Sequence, residues 1–343
     1  MSTLSSPMSQ GSPVPSYDWV PGQTPMRDAW IPIAHSVHIT DNVSWRPLHS
    51  RRYYLWREQG HIRAASTSPV ASGAEVSLFT DERGCYPVVE RYGMVWVWYG
   101  NPDNARLSLV PNLPHLPEDG NLPGYMRGQT RLHCCSELAM ENLMDLTHAD
   151  FVHSDLLGDS LTDDDVVTVD STSETITMVR TCLNKSAAPI QQRAAGIKAD
   201  RQNVRFTIHI YVRSHVAAIH SRFEPGLEVN MVHCSTPETR DSNRVNFIQN
   251  TSQARRPYRW LFPFASHKIA AQDDYALKPQ APRYHQQIRR RDMHSRFDTA
   301  SIRYRQLVQD ILARQADGDF SYESDALISG DKSSVLGMGK PIR

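Results

Sequence analysis

Net charge is the first thing this sequence lacks. Over 343 residues, 37 Lys and Arg balance 37 Asp and Glu, so no long-range field draws in polyphosphate or an anionic membrane, and nucleic acid is not the expected partner. Long apolar runs are missing as well. No stretch approaches the ~20 apolar residues that a membrane-spanning helix needs, and the amino terminus has no charged segment followed by an apolar one, as a secretory signal would. The expectation is a cytoplasmic protein. Cysteine is scarce: Cys85, Cys134, Cys135, Cys182 and Cys234 are an odd number in a chain long enough to fold without staples, so they read as reduced thiols. The adjacent Cys134 and Cys135 read as buried structural thiols rather than a redox pair. "GMGK" at 337–340 lacks the spacing of a phosphate loop, and "RRR" at 289–291 reads as a solvated face or subunit contact.

The chain exceeds the size at which one hydrophobic core usually stops growing, which favours about two domains. Residues 1–27, rich in Ser, Pro and Gly with little to bury, read as a disordered tail, and 331–343 as another. Between Trp30 and Gly100, "AWIPIAHSV", "YYLWRE", "HIRAAS", "AEVSLF" and "YPVVERYGMVWVWYG" alternate or run apolar, with turn chemistry at Gln59-Gly60, Arg83-Gly84 and Tyr92-Gly93. They predict an antiparallel β module over 28–105. "GNPDNARLSLVPNLPHLPEDGNLPG" reads as a long linker into a second domain, 106–330. There a helix is expected from Ser136 to about His153, then six strands from "DDVVTVDS" to "NRVNFIQNTS", then an amphipathic helix in "DMHSRFDTASIRYRQLVQDILARQ". The fold class is α+β.

"ENLMDLTHADFVH", residues 141–153, concentrates the chemistry: Asn142, Asp145, His148 and His153 follow the spacing N-x2-D-x2-H-x4-H. On an ideal helix the first three share a face, while His153 lies about 140° round from His148. The imidazoles converge only if the helix ends, loosens or carries a π-bulge between them, and such an irregularity is expected. Two histidines and a carboxylate on one face of an octahedron suit a non-haem Fe(II) oxygenase. Catalytic zinc takes a similar set, so a zinc-dependent hydrolase is an alternative, and polar residues merely lining a helix are the plainest one. His133, His209, His215, His220 and His233 read as core or surface histidines.

The motif, the preceding "YPVVERYGMVWVWYGNP" and the opening "DAWIPIAHS" resemble the α-subunits of Rieske-type aromatic-ring oxygenases, in the vanillate O-demethylase branch, in order over roughly residues 28–315. The resemblance implies a Rieske-like β module followed by a helix-grip (START-like) catalytic domain. It implies that His148 and His153 are iron ligands and that Asp145, with Asn142 beside it, links a ligand histidine to a neighbouring subunit's cluster. The family's third ligand is an Asp in a segment Glu-Asp-x6-Gln. In "AQDDYALKPQAP" Asp273 stands seven before Gln280, with Gln272 in place of the Glu, so Asp273 is expected and Asp274 is the fallback.

One half of the pattern is missing. The family holds a [2Fe-2S] cluster with C-x-H followed by C-x2-H, and no cysteine here has a histidine two or three residues after it. The stretch "HIRAASTSPVASGAEVSLFTDERGCYPVVERYG" looks shortened by deletion of the cluster loops. The expectation is therefore a remnant β module with no [2Fe-2S] on this chain, and Fe(II) fed by a Rieske-cluster-bearing partner and a reductase. That iron would use O2 to hydroxylate or demethylate a small aromatic or heteroaromatic compound. The alternative is an inactive structural or regulatory subunit. The resemblance implies a homo-trimer, the missing cluster a hetero-complex. The substrate pocket should draw on the strands containing Met231, Phe247 and Ile248.

Overall fold

The structure is a computed structural model, which describes residues 22–69, 79–113, 115–119, 124–158, 162, 164–250, 252–286, 293–323 and 342. The β module is built from β1 (Ala29–His35), β2 (Ser44–Leu48), β3 (Arg51–Glu58), β4 (His61–Ala65), β5 (Val88–Arg91) and β6 (Met94–Tyr99). They form two three-stranded antiparallel sheets, ordered β2-β3-β4 and β1-β6-β5. Two hairpins follow directly from sequence. Gln59 and Gly60 join β3 to β4 with φ of 51° and 82°, and Tyr92 and Gly93 join β5 to β6 with 59° and 70°. Two successive residues at positive φ match the right-handed twist of the strands they connect, which is why X-Gly is found there.

β6, "MVWVWY", is buried at every position because it is covered on both sides. Val95 and Val97 pack with Ile31, Ile33 and Leu55 inside the module, whereas Met94, Trp96 and Trp98 point the other way, toward Val110, Leu113, Val216 and Ile248. This strand is one of several joins between the two halves of the molecule: His49 N and Ser50 N also donate to the carbonyls of Pro237 and Glu238 at 2.7 and 2.8 Å, and Thr236 Oγ1 to that of Pro32 at 2.6 Å. The stretch expected as a free linker contributes to that seam: Val110, Leu113 and Leu116 are buried. The amino-terminal tail also ends sooner than expected. Met26 is buried, and Arg27 exchanges two backbone hydrogen bonds of 2.9 Å with the carboxamide of Gln315. "AEVSLF" lies outside the described residues except for Phe79, as do 1–21, "RRR" and "GMGK".

The second half contains β7 (Tyr125–Leu132), α1 (Ser136–Met144), the short turns α2 (Ala149–Val152) and α3 (Ser154–Leu157), β8 (Val166–Ser171), β9 (Thr175–Ser186) and α4 (Pro189–Ala194). β10 (Arg201–Tyr211), β11 (Val216–Glu224), β12 (Glu228–Thr239), β13 (Ser242–Asn250), α5 (Tyr258–Leu277), α6 (Ala281–Gln286) and α7 (Thr299–Ala316) complete it. Seven strands make one antiparallel sheet, ordered β7-β13-β12-β11-β10-β9-β8. Its alternation divides the side chains cleanly. Val216, Ala218, Val232 and Ile248 face the β module, while Ile208, Ile210, Ala217 and Ile219 face α1 and α7. The mixed α+β class with antiparallel sheets is the one expected. Among the described residues, no helix is long and apolar enough to cross a membrane.

α7 grips the sheet through Leu307, Val308 and Ile311, all fully buried. Leu307→Ala is expected to cost about 2–5 kcal/mol, because the packed sheet cannot collapse onto the void. The check is a lower urea midpoint at unchanged slope.

Candidate metal centre

The two histidines are brought together by chain breaks. α1 ends at Met144, earlier than the helix expected to run to His153, because Asp145 leaves helical geometry (φ −107°, ψ 76°). Its carboxylate caps the next turn, accepting from Thr147 N at 3.1 Å and Thr147 Oγ1 at 2.5 Å. A 3-10 turn at Leu146–His148 leads into α2, and at His153 (φ −115°, ψ 20°) the helix breaks again. The expected irregularity is thus a succession of short turns, with no π-bulge. It sets the two rings 5.3 Å apart between centroids.

Buried charge pins this loop to the sheet. Arg180 on β9 donates from Nη1 to the Leu146 carbonyl at 2.6 Å, and its Nη2 reaches the carboxylates of Asp150 and Asp165. Asp150 also pairs with Lys185, and all four side chains are almost wholly buried. Asp150 sits between the two histidines in sequence, so the cluster fixes their spacing. Glu141 does the same for α1: it accepts from Tyr284 Oη at 2.8 Å and Arg305 Nε at 2.7 Å.

The third group comes from α5. Asp273 Oδ1 lies 3.0 Å from His153 Nε2 and 3.4 Å from His148 Nε2, and the donor atoms of the three residues all lie within 4.8 Å of one another. The outer nitrogens of both rings face atoms that only accept. His148 Nδ1 meets the backbone carbonyl of Asp145, and His153 Nδ1 meets Gln272 Oε1 at 3.0 Å. Gln272 is held that way round because its Nε2 donates to Asp155 at 3.0 Å. Each Nδ1 therefore carries the proton, and each Nε2 turns a lone pair toward Asp273.

Two lone pairs and a carboxylate facing one another need a cation between them. Where only protons are available, burial opposes the charge on His148, but Asp273 and the Asp145 carbonyl outweigh it and hold its pKa above the usual imidazole value. Burial likewise opposes ionisation of Asp273, and the two imidazoles overcome it, keeping the carboxyl well below its ordinary range. A neutral imidazole pair plus one carboxylate, with no thiolate among the three, fits Fe(II) with coordination positions left open.

Asn142 donates from Nδ2 to Asp273 Oδ1 at 3.0 Å and so orients it. Asp274, the fallback, points elsewhere: its carboxylate accepts from His133 N at 2.6 Å and pairs with His133 Nδ1 at 2.8 Å. Asp145 touches His148 through its carbonyl, while its partly exposed carboxylate is engaged by Thr147. Sequence reading passed over Asp155 and the Asp150–Arg180–Lys185 cluster, since no local spacing marks partners thirty or more residues apart. The vicinal thiols are buried, and burial pushes Cys134 up to about 12, consistent with inert packing.

Beside the three residues opens a cavity of about 190 Å³, between α5, α1 and the sheet. Met231 and Phe247 line it, whereas Ile248 faces the β module. His233 also lines it, tilted against Phe247 with centroids 6.3 Å apart.

In this α+β chain His148, His153 and Asp273 could hold a single metal ion against an antiparallel sheet, and comparison with known proteins narrows the class. The chain belongs to the family described as the vanillate O-demethylase oxygenase C-terminal domain, matched over residues 132–314. It is 33% identical over 109 residues to a vanillate O-demethylase oxygenase subunit of Pseudomonas sp., covering 32% of this chain and 30% of that protein. It is 23% identical over 324 residues to the oxygenase component of chloroacetanilide N-alkylformylase from Rhizorhabdus wittichii, covering 74% and 90%. The first of these similarities thus spans under a third of the relative's length. Dicamba monooxygenase bound to 3,6-dichlorosalicylic acid has the same fold, with a TM-score of 0.70 at 18% identity, over 85% of this chain and 99% of that one.

Removing the Asp150 carboxylate leaves Lys185 buried without its partner. Asp150→Ala is expected to cost about 3–5 kcal/mol in urea unfolding, and to weaken Fe(II) binding by about tenfold through the loosened loop.

Proposed function

We propose that the chain is the oxygenase component of a mononuclear non-haem iron system. It would use O2 to hydroxylate, or O- or N-demethylate, a small aromatic or heteroaromatic compound. The observation that carries this is the convergence of His148, His153 and Asp273 around a point that demands a cation, beside a largely apolar cavity. The names of the relatives, oxygenase and demethylase components, support it.

When bound, Fe(II) supplies open positions and one-electron chemistry for O2. The chain's own groups do the rest. His148 and His153 present lone pairs whose direction is set by the Asp145 carbonyl and Gln272. Asn142 fixes Asp273. The apolar lining excludes water and keeps the substrate carbon beside the centre. In the overall reaction one oxygen atom enters a C–H bond, and the other leaves as water with two electrons and two protons. Where the carbon is an O- or N-methyl, the hydroxymethyl product loses formaldehyde.

The electrons would come from a Rieske cluster on a partner protein charged by a reductase. Two observations support this: no cysteine is followed at two or three residues by histidine, and Asp145, a partly exposed residue, stands next to the proposed ligand His148. A hetero-complex is then the working assembly, although a homo-trimer that docks its partner externally meets the same need.

Oxygen uptake and formaldehyde release on methylated aromatics and purines, with reductase and a Rieske protein added, test the proposal. His148→Ala is expected to abolish turnover, and Asp145→Asn to lower it about tenfold or more with iron retained. Equal rates with reductase alone would contradict the borrowed cluster. Stoichiometric zinc with hydrolytic turnover and no oxygen uptake would replace the oxygenase reading with a hydrolase.

A further inference from the structure

The cavity beside the metal centre has a distinctive charge inventory. Among the described residues that line it there is no Lys and no Arg, and Asp273 is the one carboxylate. A carboxylate ligand entering it would give up water without gaining a cationic partner along the walls, an unfavourable exchange in an apolar enclosure. His233 does not supply the charge. Burial holds its pKa down to about 4, so the imidazole is neutral near pH 7. A cation held by His148, His153 and Asp273 would sit at one end only.

The other end carries a polar group of a different kind. Ser266, Ile269, Ala270 and Asp273 line the cavity from one face of α5 at helical spacing. Seven residues at the usual rise put Ser266 about 10 Å from Asp273 along the axis. Ser266 Oγ donates to Gln249 Oε1 at 2.6 Å. Gln249, on β13, lines the cavity and is 6% exposed. With its oxygen held by Ser266, its Nε2 hydrogens find no acceptor among the described residues, and the nitrogen keeps some accessible surface in a residue that lines the cavity, so a ligand oxygen can pair with it. Gln249 pairs across the sheet with Met231, and Phe247 with His233. An apolar surface thus separates this donor from the metal centre.

We propose that the cavity selects an uncharged aromatic or heteroaromatic molecule whose carbonyl oxygen accepts from Gln249 Nε2, with the opposite edge of the ring at the metal centre, and rejects the corresponding free acid. The assignment of that far edge as the reacting one rests on the oxygenase reading, whereas the preference for a neutral carbonyl compound does not. Ser266 acts as a positioning residue, through the carboxamide it orients. A substrate of this kind is an amide, ester or lactam.

Calorimetric titration of the Fe(II)-loaded full chain under nitrogen, near neutral pH, tests this with three probes of similar size: 3-methoxybenzamide, 3-methoxybenzoate and 3-methoxytoluene. The amide is expected to bind about tenfold or more tightly than the acid. Gln249→Leu, close in volume, is expected to weaken the amide about tenfold and leave 3-methoxytoluene unchanged, and Ser266→Ala to give a smaller loss of the same kind. Ser266 is partly exposed on a helix, so its variant keeps the test open should Gln249→Leu fail to fold. Benzoate binding as tightly as the amide would overturn the proposal, as would no binding of any probe, or equal loss of the amide and 3-methoxytoluene in either variant. Iron is measured on the same samples. Protein that takes up no iron yet prefers the amide would contradict the metal reading and support the selectivity.

Discussion

Two imidazole lone pairs and a carboxylate are held face to face, and that arrangement is stable only around a positive charge. Everything nearby serves to keep it. The Asp145 carbonyl and Gln272 remove the tautomeric freedom of the rings, Asn142 restrains Asp273, and Arg180 with Lys185 locks the intervening turn through Asp150. Replacing such a cluster with apolar groups would be no worse for stability in general. Here its geometry bears on where two histidines sit.

The sheet gives this centre a rigid floor. One face is taken up by the β module, joined through Trp96 and Trp98 of a strand buried on both sides, and the other by α1 and α7. α5 is held differently: few of its residues are fully buried, and its outer face exposes Trp260, Phe264 and Tyr275. The element that carries Asp273 is thus the least embedded part of the site, while the histidine loop is the most firmly pinned.

Much of this was legible in the residues. Period-two patterns marked nearly every strand, positive-φ glycines marked both hairpins, and the N-x2-D-x2-H-x4-H spacing, with Asp273 chosen over Asp274 by resemblance, pointed to Asn142, His148, His153 and Asp273, whose side chains meet, and to Asp145, whose carboxylate caps Thr147 instead. What was hidden has physical reasons. α5 was not foreseen because Pro263 interrupts its pattern and its polar and apolar residues are mixed. The end of α1 at Met144 has no Gly or Pro to announce it; Asp145 as a cap for the following turn was the available sign. Strand β7, "YMRGQTRL", is polar on its exposed face and lies at the sheet edge, so no apolar period-two pattern marks it. The Asp150–Arg180–Lys185 cluster joins positions that only the folded sheet makes neighbours.

The central claim is that a ferrous ion is held by three named side chains. Iron-edge X-ray absorption on the purified chain, backed by anomalous diffraction at the same edge, tests it most directly. The account predicts one ion per chain, bound by Nε2 of His148, Nε2 of His153 and the Asp273 carboxylate, with sulfur absent from its coordination. An ion bound elsewhere, a sulfur-ligated spectrum, or a chain that takes up no iron with those three side chains in place would contradict it.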